Sequence, residues 1–204
     1  MRRAAFVALL VGGLGAAPLP SYRDHVLSEA WNEVDDLVTR GKTDEAIARA
    51  QAIEDALGPD GSLEYLIGLS YRLKADPGRA EVHLRRATAL SPDRPDAWSD
   101  LGEILLASGR YDEAAPCWQN VTRLLPRGPN AWIGPWREAE VAAWQGRPEA
   151  FEAHLRLALE RGFTFQTVEG QANWKRFYAD PALHDVLDQL LTVYATPSTV
   201  KSFR

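Results

Sequence analysis

Apolar and small residues recur along this chain at helical spacing, in short runs that each end at a glycine or proline. Ala30, Val34 and Leu37 share one face of a segment that stops at Gly41. Ala46, Ala50, Ile53 and Leu57 share a face of the next, which stops at Gly58-Pro59. Ala80, Leu84 and Ala87 repeat that stripe before Pro92, and Ala114, Trp118 and Val121 repeat it before Pro126. A period near 3.6 with breakers between runs predicts amphipathic helices joined by short turns. No stretch alternates apolar and polar residues as a half-buried strand would. Start signals support the reading. Thr43 stands before Asp44 and Glu45, where a helix dipole favours negative charge, and Asp76-Pro77 and Asp180-Pro181 read as cap plus first-turn proline.

The runs come at a fixed interval. Ala46, Ala80 and Ala114 are 34 residues apart, as are Gly58, Pro92 and Pro126, and Ile53, Ala87 and Val121. The third beat reads Trp98-x-x-Leu101-Gly102-x-x-Leu105, then Ala114-x-x-x-Trp118, then Pro126. This resembles the tetratricopeptide repeat, a helix–turn–helix unit of that length. The resemblance implies an all-α fold: a right-handed superhelix (α-solenoid) of antiparallel helix pairs with a C-terminal capping helix. Repeats are expected at about 27–60, 61–94, 95–128 and 129–162, with a cap over 163–195 and a mobile polar tail over 196–204. Two departures stand out. The aromatic expected at Glu64 is displaced to Tyr65. In the fourth repeat Trp132 keeps the interval from Trp98 but Ala150 falls 36 after Ala114, which puts two extra residues in the first helix, at Gly134-Pro135.

In this family the first helix of each pair lines a concave groove. Carried over position by position, the resemblance implies a groove lined by Ser28, Trp31, Asp35, Val38 and Thr39, then Tyr65, Leu69, Arg72 and Leu73, then Ser99, Glu103, Leu106 and Ala107. The repeats that grip chaperone C-terminal carboxylates use Lys and Asn along this groove. Here the matching places hold Trp31, Asp35 and Leu69, and Asp35 would repel a carboxylate. The mixture instead suits an amphipathic helix or extended segment with apolar anchors and a basic residue. Trp132, Trp136 and Trp144 form a possible second surface for assembly. The expected role is therefore a non-enzymatic adaptor or scaffold with a protein or peptide partner; the alternative is a structural subunit of a larger envelope or organelle complex.

Composition narrows this further. At 46% apolar and 25% charged the chain is an ordinary globular sequence, and a net charge of −5 argues against nucleic acid as a partner. Residues 21–60 carry four basic and ten acidic side chains, so the acidic excess lies in the first repeat. Met1-Arg2-Arg3 followed by Ala4 to Val11 has the layout of a secretory signal, with small residues at Gly15-Ala16-Ala17. Residues 1–20 are thus expected to be a signal peptide or flexible leader, with no membrane span in the mature chain. Periplasmic or extracellular export is expected, an organelle lumen being the alternative. Candidate chemistry is sparse. His25, His83, His154 and His184 show no metal-ligand spacing, and Cys117 beside Trp118 reads as packing material. No catalytic, cofactor or metal site is expected.

Overall fold

A computed structural model describes residues 20–204, and every described element is helical. Residues 1–19, which hold nearly all of the expected leader, lie outside the described residues. Four antiparallel pairs follow one another: α1 (Pro20–Thr39) with α2 (Thr43–Leu57), α3 (Gly61–Leu73) with α4 (Pro77–Leu90), α5 (Pro95–Ala107) with α6 (Tyr111–Leu124), and α7 (Ile133–Trp144) with α8 (Pro148–Glu160). A 3₁₀ turn at Phe165–Val168 leads to α9 (Ala172–Ala179), α10 (Pro181–Tyr194) and α11 (Pro197–Phe203). The stack is an α-solenoid closed by a helical cap.

Small residues let paired helices approach. Ala46, Ala80 and Ala114 are fully buried at the same position of α2, α4 and α6. Within pairs the fit is tighter still. A β-carbon added at Gly68 would stand 2.9 Å from Leu84 Cγ, and one at Gly102 would stand 2.7 Å from Trp118 Cε2. Glycine in mid-helix costs about 1 kcal/mol against alanine, so these positions trade backbone preference for interhelical contact.

The turn inside each pair explains another regularity. Gly41, Ala75, Gly109 and Gly146 all have positive φ, at +73°, +55°, +71° and +65°. The left-handed backbone there reverses the chain after the first helix of each pair. Ala75 fills a slot that suits glycine better. The last step in this series is 37, and so is the step from Ala114 to the fully buried Phe151 at the matching position of α8. The fourth repeat therefore carries three extra residues, not two. The connection at residues 125–132 is four residues longer than the link at residues 91–94 and α7 is one shorter than α5, so the insertion falls in that connection and not at Gly134-Pro135 within α7. Trp132 keeps the 34-residue step by coincidence and becomes the cap position of α7.

Two further expectations are corrected. Lys42, without a side-chain cap bond, occupies the cap of α2, and Thr43 is already its first helical residue. Asp76 and Asp180 do accept from backbone N–H groups of α4 and α10. Residues 196–204 are not a free tail: Thr196 caps α11, and Phe203 packs edge-on against Phe165 and Tyr178. Burying one large aromatic ring contributes about 2–3 kcal/mol, enough to hold a short helix down.

The core divides in two. One cluster runs from Leu27 to Val121 and draws Ile133 and Val141 from α7. The other joins Trp136 and Ala139 to Phe151, Phe163, Phe165, Trp174, Phe177, Leu187 and Phe203. The aromatic stretch after Gly162 is thus the centre of the second core.

Candidate functional site

The first helices of successive pairs form one continuous face, because ion pairs link them directly. Arg72 on α3 meets Asp100 on α5 at 3.5 Å, and Arg137 on α7 meets Glu103 on α5 at 2.5 Å. Along this face Trp31, Tyr65, Leu69 and Leu106 are half-buried and rest on the first core, leaving their outer edges toward solvent. Asp35, Ser99 and Glu103 are also half-buried, whereas Ser28, Thr39, Arg72 and Ala107 are exposed. Leu73 projects into solvent at 56% exposure. Val38 is buried in the core and cannot line a groove. At the N-terminal end an open cleft of about 320 Å³ lies between Leu27, Ser28 and Trp31 of α1 and Asp60 and Ser62 at the start of α3.

Electrostatics distinguish α5. Asp96, Asp100 and Glu103 fall at helical spacing on one side of it, which the repeat resemblance did not flag beyond Glu103. Burial raises the Asp100 carboxyl above its ordinary range, with Arg72 opposing the shift. Burial likewise raises Glu103 against the pull of Arg137. The Tyr65 phenol is pushed well up, first by burial and then by the negative charge of Asp100 and Asp96. Arg94 lies over the Tyr65 ring at 5.3 Å and donates to Ser62 at 2.7 Å. Arg72 pairs with Asp100 and not with Glu103, which Arg137 engages.

Arg137 was not anticipated, and it is the most connected group here. Its guanidinium lies 4.0 Å from the Trp136 ring centre, bonds Glu103, and also bonds Glu140. Glu140 is wholly buried and accepts from Asn173 at 2.6 Å and from the Trp174 indole at 2.9 Å. A carboxylate so placed needs these donors, since an unpaired buried charge is strongly destabilising. Glu140 thereby ties the first-helix face to α9.

The tryptophan trio faces outward only in part, Trp132 and Trp144 being half-buried. Trp136 is 8% exposed, and Trp132 and Trp144 pack against the second core. Trp132 and Trp136 both contact Phe163, while Trp144 stacks on Tyr111 and meets Phe177 edge-on. The aromatic cap over residues 163–178 covers them, and sequence spacing alone did not reveal that cover.

Of the chemistry-bearing residues, His83 bonds the buried Glu64 at 2.6 Å and stacks on Tyr71, and His154 lies 3.4 Å from Glu138. His154 is only partly buried, so it sits at the edge of its helix stripe. The Cys117 thiol is buried and pushed up to about 11, far from a reactive thiolate. Among the described residues no group of three or more His, Cys, Asp or Glu is placed to hold a metal ion. No described helix is long and apolar enough to cross a membrane.

Known proteins agree with this architecture. Residues 73–132 and 105–162 each match a family model described as tetratricopeptide repeat. No curated protein matches the chain. Among solved structures it is similar to YrrB, a TPR protein described as having an unusual peptide-binding site, with 14% identity over 88% of this chain and 96% of that one, at a TM-score of 0.66. It is similar also to MamA, at 20% identity over 68% and 84% of the two chains with a TM-score of 0.53. TTC0263, a thermophilic TPR protein of Thermus thermophilus, matches at 15% identity over 85% and 94% with a TM-score of 0.52. At such identities the likeness concerns the fold. The two matches together show tetratricopeptide repeats over residues 73–162, set within an α-solenoid of helix pairs.

Proposed function

We propose that this chain is a protein–protein interaction module without catalytic activity of its own, and that it holds a partner polypeptide along the face made by α1, α3 and α5. One observation carries the reading: half-buried Trp31, Tyr65 and Leu69 form an apolar floor beside Asp100 and Glu103. An apolar floor offers anchor sites, and a cationic group of the partner exchanges with Arg72 or Arg137, which already pair with Asp100 and Glu103. The partner is therefore a helix or extended segment with large apolar side chains and at least one Lys or Arg. The peptide-binding site described for YrrB, which shares the fold, supports a peptide as ligand.

We also propose that the protein works outside the cytoplasm, after removal of residues 1–20, on the basis of the Arg2-Arg3 start and the apolar run that follows. Burial of Trp136 favours the groove over the assembly-subunit alternative, for which only the half-buried Trp132 and Trp144 remain as surface. Affinity capture with full-length protein from its native cell fraction tests both proposals. Mass spectrometry of the recovered bait should give a mature N-terminus near residue 20. A partner held by the wild type and lost by Trp31→Ala with Tyr65→Ala, in a bait of unchanged helicity, supports the groove. Undiminished recovery of that partner would remove this face as the site.

A further inference from the structure

The seam between α6 and α7 differs from the two before it. The first core passes without a break from α1 through α6, but only Ile133 and Val141 of α7 reach it, and no residue before Trp132 belongs to the second core. Beside these apolar contacts the seam carries polar ones, as the preceding seam does at Arg72–Asp100, Arg85–Glu113 and Arg110–Glu81; what sets it apart is the break between the two cores. Thr122 donates to the buried Glu138, Arg161 donates to the Thr122 carbonyl at 3.3 Å, and Arg137 spans to Glu103. Gln145 donates to Asp112 at 2.5 Å, beside the stack of Trp144 on Tyr111. The packing is close, since a β-carbon at Gly134 would lie 2.6 Å from the Thr122 backbone nitrogen. Part of this contact is nonetheless polar and charged. Such contacts return less than apolar burial does, because each charge must first give up water. The lengthened 125–132 connection falls at this same seam.

In a repeat stack, cooperativity depends on the interface between neighbours, and a weak interface divides the stack into units that open separately. We propose that this solenoid comprises two cooperative units, residues 20–124 and 133–204, and that the α6–α7 seam is the joint at which it yields. The joint crosses the first-helix face between Glu103 and Arg137, so opening it alters the groove without unfolding α1 to α5. The proposal does not depend on the groove having a ligand.

Native-state hydrogen exchange of the full chain, followed by peptide-resolved mass spectrometry across a urea series, tests it. Amides of α2, α3 and α4 should converge on one opening equilibrium and one urea slope, and those of α8 and α10 on another. The two equilibria should differ by about tenfold or more. Convergence of all these amides on a single curve would overturn the proposal. Thr122→Val with Glu138→Leu makes the seam apolar, and should bring the two equilibria within about threefold of each other. An unchanged gap in that folded variant would show that seam chemistry does not divide the units, and the proposal would fall. Should the variant fail to fold, the wild-type curves decide alone.

Discussion

Gly102→Ala would put a methyl group 2.7 Å from Cε2, 2.8 Å from Cζ2 and 3.0 Å from Nε1 of Trp118. The indole has nowhere to retreat: it is fully buried, and the Arg137 guanidinium lies 5.7 Å from its ring. Overpacking of this kind costs about 1–3 kcal/mol. Against it stands a gain of about 1 kcal/mol from replacing a mid-helix glycine by alanine. The expected net effect is a destabilisation of about 1 kcal/mol in the native background. With Trp118→Ala, itself costing about 3–5 kcal/mol, the obstruction is gone and only the helix preference remains. Gly102→Ala should then stabilise by about 1 kcal/mol, a coupling of about 2 kcal/mol across the cycle. Urea unfolding followed by circular dichroism on the four proteins measures all of these terms. The decisive feature is the change of sign. If Gly102→Ala has the same effect with and without the indole, steric contact is not why glycine stands there.

Three further outcomes are expected. Ala75→Gly, at the one positive-φ residue among those described that is not glycine, should raise stability by about 0.5–1 kcal/mol through relief of left-handed strain; a loss measured by urea unfolding would count against the strain. Cys117, with its thiol pushed up to about 11, should react with a thiol reagent at about pH 8 only as fast as the native state opens; labelling of folded protein at the rate of a free thiol would contradict its burial. Asp100 supplies a pH signature. Its folded carboxyl titrates above its unfolded value near 3.9, so its charge costs stability above the raised pKa, and that cost fades as pH falls toward the unfolded value. Asp100→Asn should therefore shift the urea midpoint more favourably at about pH 7 than at about pH 4, and the reverse order would mean that the Arg72 pair outweighs burial.

Which parts of this molecule were legible in its sequence follows from the range of the contacts involved. Ala46, Ala80 and Ala114 announced themselves because a close approach repeated in space demands a small residue repeated in sequence. The insertion was misplaced because Trp132 kept the 34-residue step while changing its role, whereas the sharper marker was the glycine of the turn, moving from Gly109 to Gly146. Apart from Ala75, that turn series could have been read as glycines at equivalent positions. Glu140 could not. Its three partners, Arg137, Asn173 and Trp174, come from its own helix and from α9, which lies beyond the last repeat, and a glutamate amid alanines on a helix reads as solvated until the cap closes over it. The same holds for Phe203, one aromatic in a polar segment whose burial depends on where α9 and α10 deliver Tyr178 and the 3₁₀ turn. Periodicity thus specified the stack itself, and the non-repeating contacts specify where it ends and where its groove meets its cap. The boundary runs through Arg137, which belongs to the first-helix face by position and to the cap by its bond to Glu140. A solenoid built only of regular repeats would offer the same face at every step. Here the irregular fourth repeat gives the face one fixed end.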